Sequence, residues 1–316
     1  MALDAADERV CNDCGMPLVG RYCHVCGEDS QPPRRELKFL LNDALDNVFS
    51  FTEHVPTTLK DMAVDPGRVL RGLRDGDTKR YLTPFKLYVS ASVVFFLFLA
   101  ISGVSLMQFE VRRTGGPVSV FEDAEGVVEM KGFYIQARTL MPEGRAKPDP
   151  EVAAALQKAR TNLADEGNRS FIASLLLAVE QPQVINDDIA TWAPRALWLL
   201  MPLYALMIWP LYRRGTLAVD HFIFSLWGHT TLYLLMILGG LWNLVLPKIG
   251  LGLVLLAYQA YLTVGLKTYY GRSWAGAVVK GGLVSAAYTL VWLALSFVFF
   301  LWQAFKFLPP DYFFTE

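Results

Sequence analysis

The chain has 316 residues, of which 53% are hydrophobic and 19% charged, and its formal net charge is −1. A charged fraction below about a quarter is unusual for a soluble domain, and a net charge near zero gives no global field that would favour nucleic acid. The polar residues 1–84 precede long apolar runs, which predicts a soluble head joined to a membrane body.

The segment 1–30 contains every cysteine of the chain, in two C-x2-C pairs separated by eight residues. Four thiolates at this spacing predict a closed, tetrahedral structural zinc site in a zinc ribbon. A disulfide pair and a four-thiolate iron site are the alternatives. The surrounding acidic residues and the charge of the metal cluster disfavour nucleic acid as a partner. The predicted ligands are Cys11, Cys14, Cys23 and Cys26.

Residues 31–84 combine an amphipathic helix with a basic segment before the first span. Leucine, alanine, valine and phenylalanine side chains fall on one helical face over residues 37–49, which predicts packing on the membrane body or on a partner. The basic residues orient the first span and are expected to contact anionic lipid. They are Arg68, Arg71, Arg74, Lys79, Arg80 and Lys86.

Five apolar runs are long enough to cross about 30 Å of hydrocarbon as helices. The sequence therefore predicts a mainly α, polytopic membrane protein, with a first transmembrane helix at 85–107 and a four-helix bundle at 191–316. Lysine and arginine cluster on one side of the spans, which places the N-terminus in the cytoplasm and the C-terminus outside. The runs cover residues 85–107, 192–212, 219–245, 249–265 and 275–300.

The stretch 108–190 would then form a small extracytoplasmic α+β domain. Residues 118–130 predict two short strands around a turn at Glu125 and Gly126, and Pro150 is expected to open a helix. An apolar piece at 170–179 is too short to span a membrane, so we expect it to pack against the strands of this domain or to lie along the bilayer surface.

Several polar residues fall inside the predicted bundle, where ionisable groups are costly and mark candidate functional sites. His229 is expected near the middle of the third span, whereas Asp220 and His221 are expected at its cytoplasmic end. These groups predict either hydrogen bonding between packed helices or a proton or solute pathway. Small residues in the fifth span predict that it is interior or lies at an oligomer contact. The intramembrane candidates are Asp220, His221, His229, Tyr233 and Gln259.

Three segments carry a resemblance to a known family: the four-cysteine ribbon, DPGRVLRGLRDGDTKRYLTPFKLYVSASVVFF and DHFIFSLWGHTTLYLL. Together they resemble a widespread bacterial family of uncharacterised membrane proteins, which is defined only as a domain of unknown function. This chain is less basic than the family pattern over residues 76–81. The resemblance implies a multi-pass protein of the bacterial cytoplasmic membrane, and it implies no activity.

The function predicted from the sequence is a non-enzymatic scaffold whose zinc ribbon docks a cytoplasmic partner. No metalloprotease, hydrolase, phosphate-loop or dinucleotide motif is present. The alternative is a transporter or channel for a small solute or lipid that uses the intramembrane polar residues, and a weaker one is an enzyme that uses Asp220 and His221. The expected partners are membrane lipid and either a cytoplasmic protein or a second copy of the chain.

Overall fold

The computed structural model describes residues 10–11, 14–20, 22–27, 54–75, 80–122, 128–142, 148–164, 176–177, 179–246 and 249–306. Within these residues the chain is mainly helical, as predicted, with a small amount of antiparallel sheet. The predicted amphipathic helix at 37–49 lies outside the described residues. In chain order the elements are α1 (His54–Val64), α2 (Pro66–Asp75), α3 (Pro84–Ser102), β1 (Val104–Arg113), β2 (Ser119–Glu122), β3 (Val128–Lys131), β4 (Phe133–Pro142), α4 (Pro150–Ala164), α5 (Pro182–Tyr212), α6 (Ala218–Val245), α7 (Leu251–Tyr270) and α8 (Trp274–Lys306).

Five of these helices, α3 and α5 to α8, are long and apolar enough to cross a membrane by length and composition. Among the described residues, the number of such helices equals the predicted number of spans. Among them α6 is the most enclosed, because 72% of its most apolar stretch is buried within the chain. For α8 that share is 6%, so the prediction that the fifth span is interior is wrong. The predicted oligomer contact stays a prediction.

Two of the differences between the predicted and the observed helix boundaries have identifiable reasons. The first span ends at Ser102 rather than at residue 107, because Gly103 adopts a left-handed backbone with φ of 65° and β1 begins at Val104. The second span begins ten residues earlier than predicted, at Pro182. Proline suits the first turn of a helix, and the polar residues that follow it lower the local hydropathy that marks a span.

The described strands form two separate two-stranded antiparallel sheets. Strands β2 and β3 pair between residues 119 and 131, which confirms the two short strands predicted there. Strands β1 and β4 form a longer pair, with Val104 opposite Pro142 and Arg113 opposite Phe133. The sequence analysis missed this pair, because the apolar start of β1 reads as a continuation of the first span.

Helix α4 packs on these strands, and it begins at Pro150 as predicted. Its apolar side shares one core with the strands and with Leu176 and Val179, so the described residues of the 170–179 piece pack against these strands, as predicted. The burial of such side chains stabilises the loop structure by about 1.5–3 kcal/mol for each large one. The core comprises Val111, Phe133, Val152, Leu156, Ala159 and Leu176.

Strand β1 carries a buried charged side chain. Glu110 of β1 is 4% exposed at its side chain and forms ion pairs with Arg112 and Arg138. Burial raises the pKa of Glu110, but hydrogen bonds from the two guanidinium groups outweigh it and leave the pKa below its usual value. The backbone of the preceding residue, Phe109, is bound by Asn186 of α5. The Asn186 side chain accepts from the Phe109 amide at 2.8 Å and donates to the Phe109 carbonyl at 3.1 Å.

The chain divides into two compact units. Unit 1 comprises Met1–Val93, Met201–Tyr233 and Tyr258–Val284, and unit 2 comprises Val94–Leu200, Leu234–Ala257 and Ser285–Glu316. Unit 1 contains the cysteine cluster, α1, α2 and most of the buried polar residues, whereas unit 2 contains the sheet and α4. Since both units include parts of the long helices, the predicted division into a loop domain and a separate bundle stays a prediction.

Candidate metal centre and polar sites of unit 1

The four cysteines lie together, although they come from two turns. Cys14 and Cys23, the nearest members of the two turns, are nine positions apart in the sequence. Their sulfur atoms are all within 4.8 Å of one another, and all four are free thiols. Two of the sulfur pairs, Cys11 with Cys26 and Cys14 with Cys23, are 3.5 Å apart. A tetrahedral zinc ion with Zn–S bonds of about 2.3 Å requires sulfur atoms about 3.8 Å apart, so the cluster is compatible with zinc and can bind a metal ion.

Backbone geometry explains why each pair of cysteines forms a tight turn. Gly15 and Gly27 follow the second cysteine of each pair with φ near 72°, a conformation that favours glycine. Their amides donate to the carbonyls of Cys11 and Cys23 at 2.9 and 2.8 Å. Hydrogen bonds from the backbone of Cys26 and Val25 lower the pKa of the Cys23 thiol to about 6, which favours the thiolate that a metal requires.

Several large apolar side chains are exposed around this cluster. Five large apolar side chains have between 42% and 89% of their surface accessible, alongside the exposed polar side chain of His24, and a segment of this size offers them no interior. Exposed apolar groups concentrated in so short a segment mark a candidate interaction surface. We name this set the ribbon face; it consists of Val10, Met16, Val19, Tyr22 and Val25.

A buried hydrogen-bond junction joins α1 to the start of the first span. The Tyr81 hydroxyl donates to Asp61 at 2.8 Å, and Arg80 approaches the same carboxylate oxygen at 3.3 Å. The hydrogen bond from Tyr81 is the main cause that lowers the pKa of Asp61, while burial raises the pKa of Tyr81 to about 12. Thr58 accepts the Leu82 amide at 3.1 Å, so α1 is fixed to the chain just before α3.

The basic residues predicted to contact lipid are partly neutralised by acidic neighbours. Arg68 and Arg71 lie 3.7 and 3.9 Å from Asp65, and Arg80 pairs with Asp61. Lys86 is half-buried in the first turn of α3. Lys79 and the side chain of Arg74 lie outside the described residues. Lipid contact by these six residues stays a prediction.

Helix α2 packs closely on α7, a contact that the sequence analysis missed. A Cβ at Gly265 would lie 2.6 Å from the indole of Trp227 and 3.4 Å from Leu70 of α2. A Cβ at Gly67 would lie 2.8 Å from the Thr268 side chain. The glycines at positions 67 and 265 could have indicated this contact, because the absence of a side chain lets two helices approach closely.

Asp220 and His221 organise the turn before α6. The Asp220 carboxylate accepts a hydrogen bond from the Leu217 amide at 2.8 Å. One backbone N–H at the start of α6 therefore has a partner, as in a capping box. His221 lies 2.8 Å from the Tyr270 hydroxyl and 3.2 Å from that of Thr216. The two side chains therefore belong to a network that connects the turn at 213–217 to the end of α7.

His229 is separated from that network and is 2% exposed. Its Nδ1 lies 2.9 Å from the Ser225 carbonyl of its own helix. The rings of Tyr204 and Tyr88 face it edge-on, with centroids 5.7 and 6.4 Å away. Tyr88 also contacts Tyr233, at 5.8 Å, so the predicted neighbours His229 and Tyr233 lie in one aromatic cluster.

Gln259 of α7 is half-buried, and its carbonyl accepts the Thr263 hydroxyl at 2.8 Å. Its side-chain amide lies 3.6 Å from the position of a Cβ on Gly281. This places Gln259 at the contact of α7 with α8, in agreement with an interhelical role for the polar residues.

Five helices of membrane-spanning length and a four-cysteine cluster define the class: a multi-pass membrane protein with a candidate metal centre near its N-terminus. The family described as "Protein of unknown function (DUF3667)" has a model that matches residues 54–96. The match covers α1, α2 and the first two-thirds of α3, including the Asp61–Tyr81 junction. It does not extend to the cysteines or to α6. No curated protein and no solved structure matches the chain.

Proposed function

We propose that the protein is a non-enzymatic membrane scaffold whose N-terminal zinc ribbon docks a cytoplasmic protein. The observation that carries this proposal is the ribbon face, a set of exposed apolar side chains around a closed four-sulfur cluster. A module this small has no apolar interior to which these side chains could contribute. Their exposure is accounted for when a partner covers them.

The metal in this proposal is zinc, and its role is structural. Four thiolate ligands complete the coordination of zinc and leave no position for a reactive water. Because so short a segment cannot bury enough surface to fold alone, metal binding supplies the free energy that orders it. Zinc would therefore fix the positions of Val19 and Tyr22 on the ribbon face.

The composition of the module supports a protein partner rather than nucleic acid. Between Cys11 and Ser30 the sequence has Arg21 as its one strongly basic residue, against Asp13, Glu28 and Asp29. Four thiolates on one Zn²⁺ add a net charge of about −2. Phosphate contacts dominate nucleic-acid affinity, and a negative surface would repel them.

The environment of His229 supports a packing role over a transport pathway. A transport group has to exchange protons or contact solute, whereas His229 is enclosed by two tyrosine rings and bonded to its own helix. Under the scaffold proposal, His229→Ala lowers bundle stability through the lost contacts but leaves partner binding intact. Loss of partner binding by a normally folded His229→Ala chain would contradict this assignment.

The experiment that tests the proposal measures metal content and bound protein on the full chain, extracted gently from its membrane. We expect one zinc per chain by elemental analysis and a stoichiometric partner. Val19→Ser/Tyr22→Ser should keep the zinc but release the partner. The matched control, Tyr134→Ser/Ile135→Ser, removes similarly exposed apolar groups from β4 and should retain the partner. Equal loss in both variants, or zinc without any partner, would refute the docking function.

A further inference from the structure

Two short turns and one helix of unit 1 bring four cations to one cavity. The turn between α5 and α6 contributes Arg213 and Arg214, and the turn between α7 and α8 contributes Arg272. Lys280, seven residues into α8, completes the set. Together with Pro210 and Leu211 they line a cavity of about 340 Å³, large enough for a phosphate group.

Within the described part of the chain, no carboxylate lies at ion-pair distance from any of these four side chains. This distinguishes them from Arg68 and Arg80, which have acidic partners. The three arginines are exposed, and Lys280 is half-buried. Positive charge that merely orients spans needs no common cavity, whereas these cations converge on one.

Lys280 has a fixed position in the wall of this cavity. Its ammonium donates to the Leu211 carbonyl at 2.8 Å, in the last turn of α5. It also lies 4.7 Å from the ring centroid of Tyr212. An ammonium group has three hydrogens, so one donor bond to Leu211 leaves two for a further acceptor. Arginine forks beside it supply the geometry that matches phosphate oxygens.

We propose that this cavity, lined by Arg213, Arg214, Arg272 and Lys280, binds a phosphate group. Between the two turns the chain passes through α6 and α7, which are two crossings, so both turns fall on the same side if each helix crosses the bilayer. At that depth the phosphates of anionic lipid headgroups are the abundant ligands, and basic pockets between transmembrane helices suit them. Free phosphate shares the same chemistry. The site is independent of the proposed docking by the ribbon face.

The test uses the full chain in detergent, with dioleoylphosphatidylglycerol, dioleoylphosphatidylcholine and inorganic phosphate as probes. Native mass spectrometry counts retained lipids, and thermal unfolding reports phosphate binding. Arg213→Gln/Arg272→Gln removes two cations from the cavity and should weaken phosphatidylglycerol binding about 30-fold. The control Lys60→Gln/Lys267→Gln removes the same charge from unit 1 outside the cavity and outside the six residues predicted to contact lipid, so it should change binding by less than about threefold.

Each outcome decides the proposal. Binding of phosphatidylglycerol but not of phosphate, lost in the cavity variant alone, supports a lipid headgroup site. Stabilisation by inorganic phosphate with the same dependence supports a site for free phosphate. Equal weakening in the cavity and control variants, or no preference for phosphatidylglycerol over phosphatidylcholine together with no effect of phosphate, would overturn it. If Arg213→Gln/Arg272→Gln misfolds, Arg214→Gln/Arg272→Gln tests the same cavity, because both substituted side chains are exposed.

Discussion

The junction between α1 and the first span should be a main source of stability in the matched segment. Asp61→Ala removes the acceptor of the Tyr81 hydroxyl, a residue that is 2% exposed. A hydrogen bond to a charged group contributes about 1.5–3 kcal/mol. The pair with Arg80 contributes up to about 1 kcal/mol, because that side chain is 49% exposed. We therefore expect Asp61→Ala to lower the free energy of unfolding by about 1.5–4 kcal/mol.

A double-mutant cycle isolates the hydrogen bond from other effects. Tyr81→Phe keeps the buried ring and removes only the hydroxyl. The free energy of unfolding of the full chain is measured in mixed detergent micelles by circular dichroism for the two single variants and for Asp61→Ala/Tyr81→Phe. We expect a coupling of about 1.5–3 kcal/mol. A coupling below about 0.5 kcal/mol would show that Tyr81 and Asp61 do not stabilise one another.

The same junction predicts a dependence on pH. The pKa of Asp61 lies below its ordinary value of 3.8, so the folded state favours the carboxylate. Its stabilisation is complete above the unfolded pKa and is lost as the pH falls through the folded pKa. The difference in unfolding free energy between the natural chain and Asp61→Ala should therefore shrink below about pH 4. A difference that is unchanged at pH 3 would contradict the assignment.

Two further predictions concern packing and a buried charge. Gly265→Ala forces a methyl to within 2.6 Å of Trp227 and should lower the free energy of unfolding by about 1–3 kcal/mol. The control Gly282→Ala meets nothing within 4 Å and should be neutral or slightly stabilising. Equal effects of the two variants on the melting temperature would refute the packing argument. Glu110→Gln should cost about 2–3 kcal/mol at pH 7, because it breaks the buried pair with Arg138. Since the pKa of Glu110 is lowered, that cost should fall as the pH drops through its folded pKa; a constant cost in a denaturation series from pH 7 to 3 would refute it.

The sequence alone determined the features that depend on local composition. Five apolar runs are sufficient to predict five spans, because a helix of that length is required to satisfy its own backbone in hydrocarbon. The spacing of the cysteines and the glycines that follow them predicted the sulfur cluster, since each pair of ligands lies within one tight turn. The strands at 119–122 and 128–131 and the helix at Pro150 were likewise readable from local pattern and turn residues.

Only the tertiary structure decided which polar residues meet. Asp61 and Tyr81 are twenty positions apart, and Arg213 and Arg272 lie on separate turns, so no local pattern relates them. The pairing of β1 with β4 depends on Gly103 ending the helix, which hydropathy does not register. Contacts between distant segments arise from the packing of whole helices, and a single sequence records the propensity of each helix but not the neighbour against which it packs.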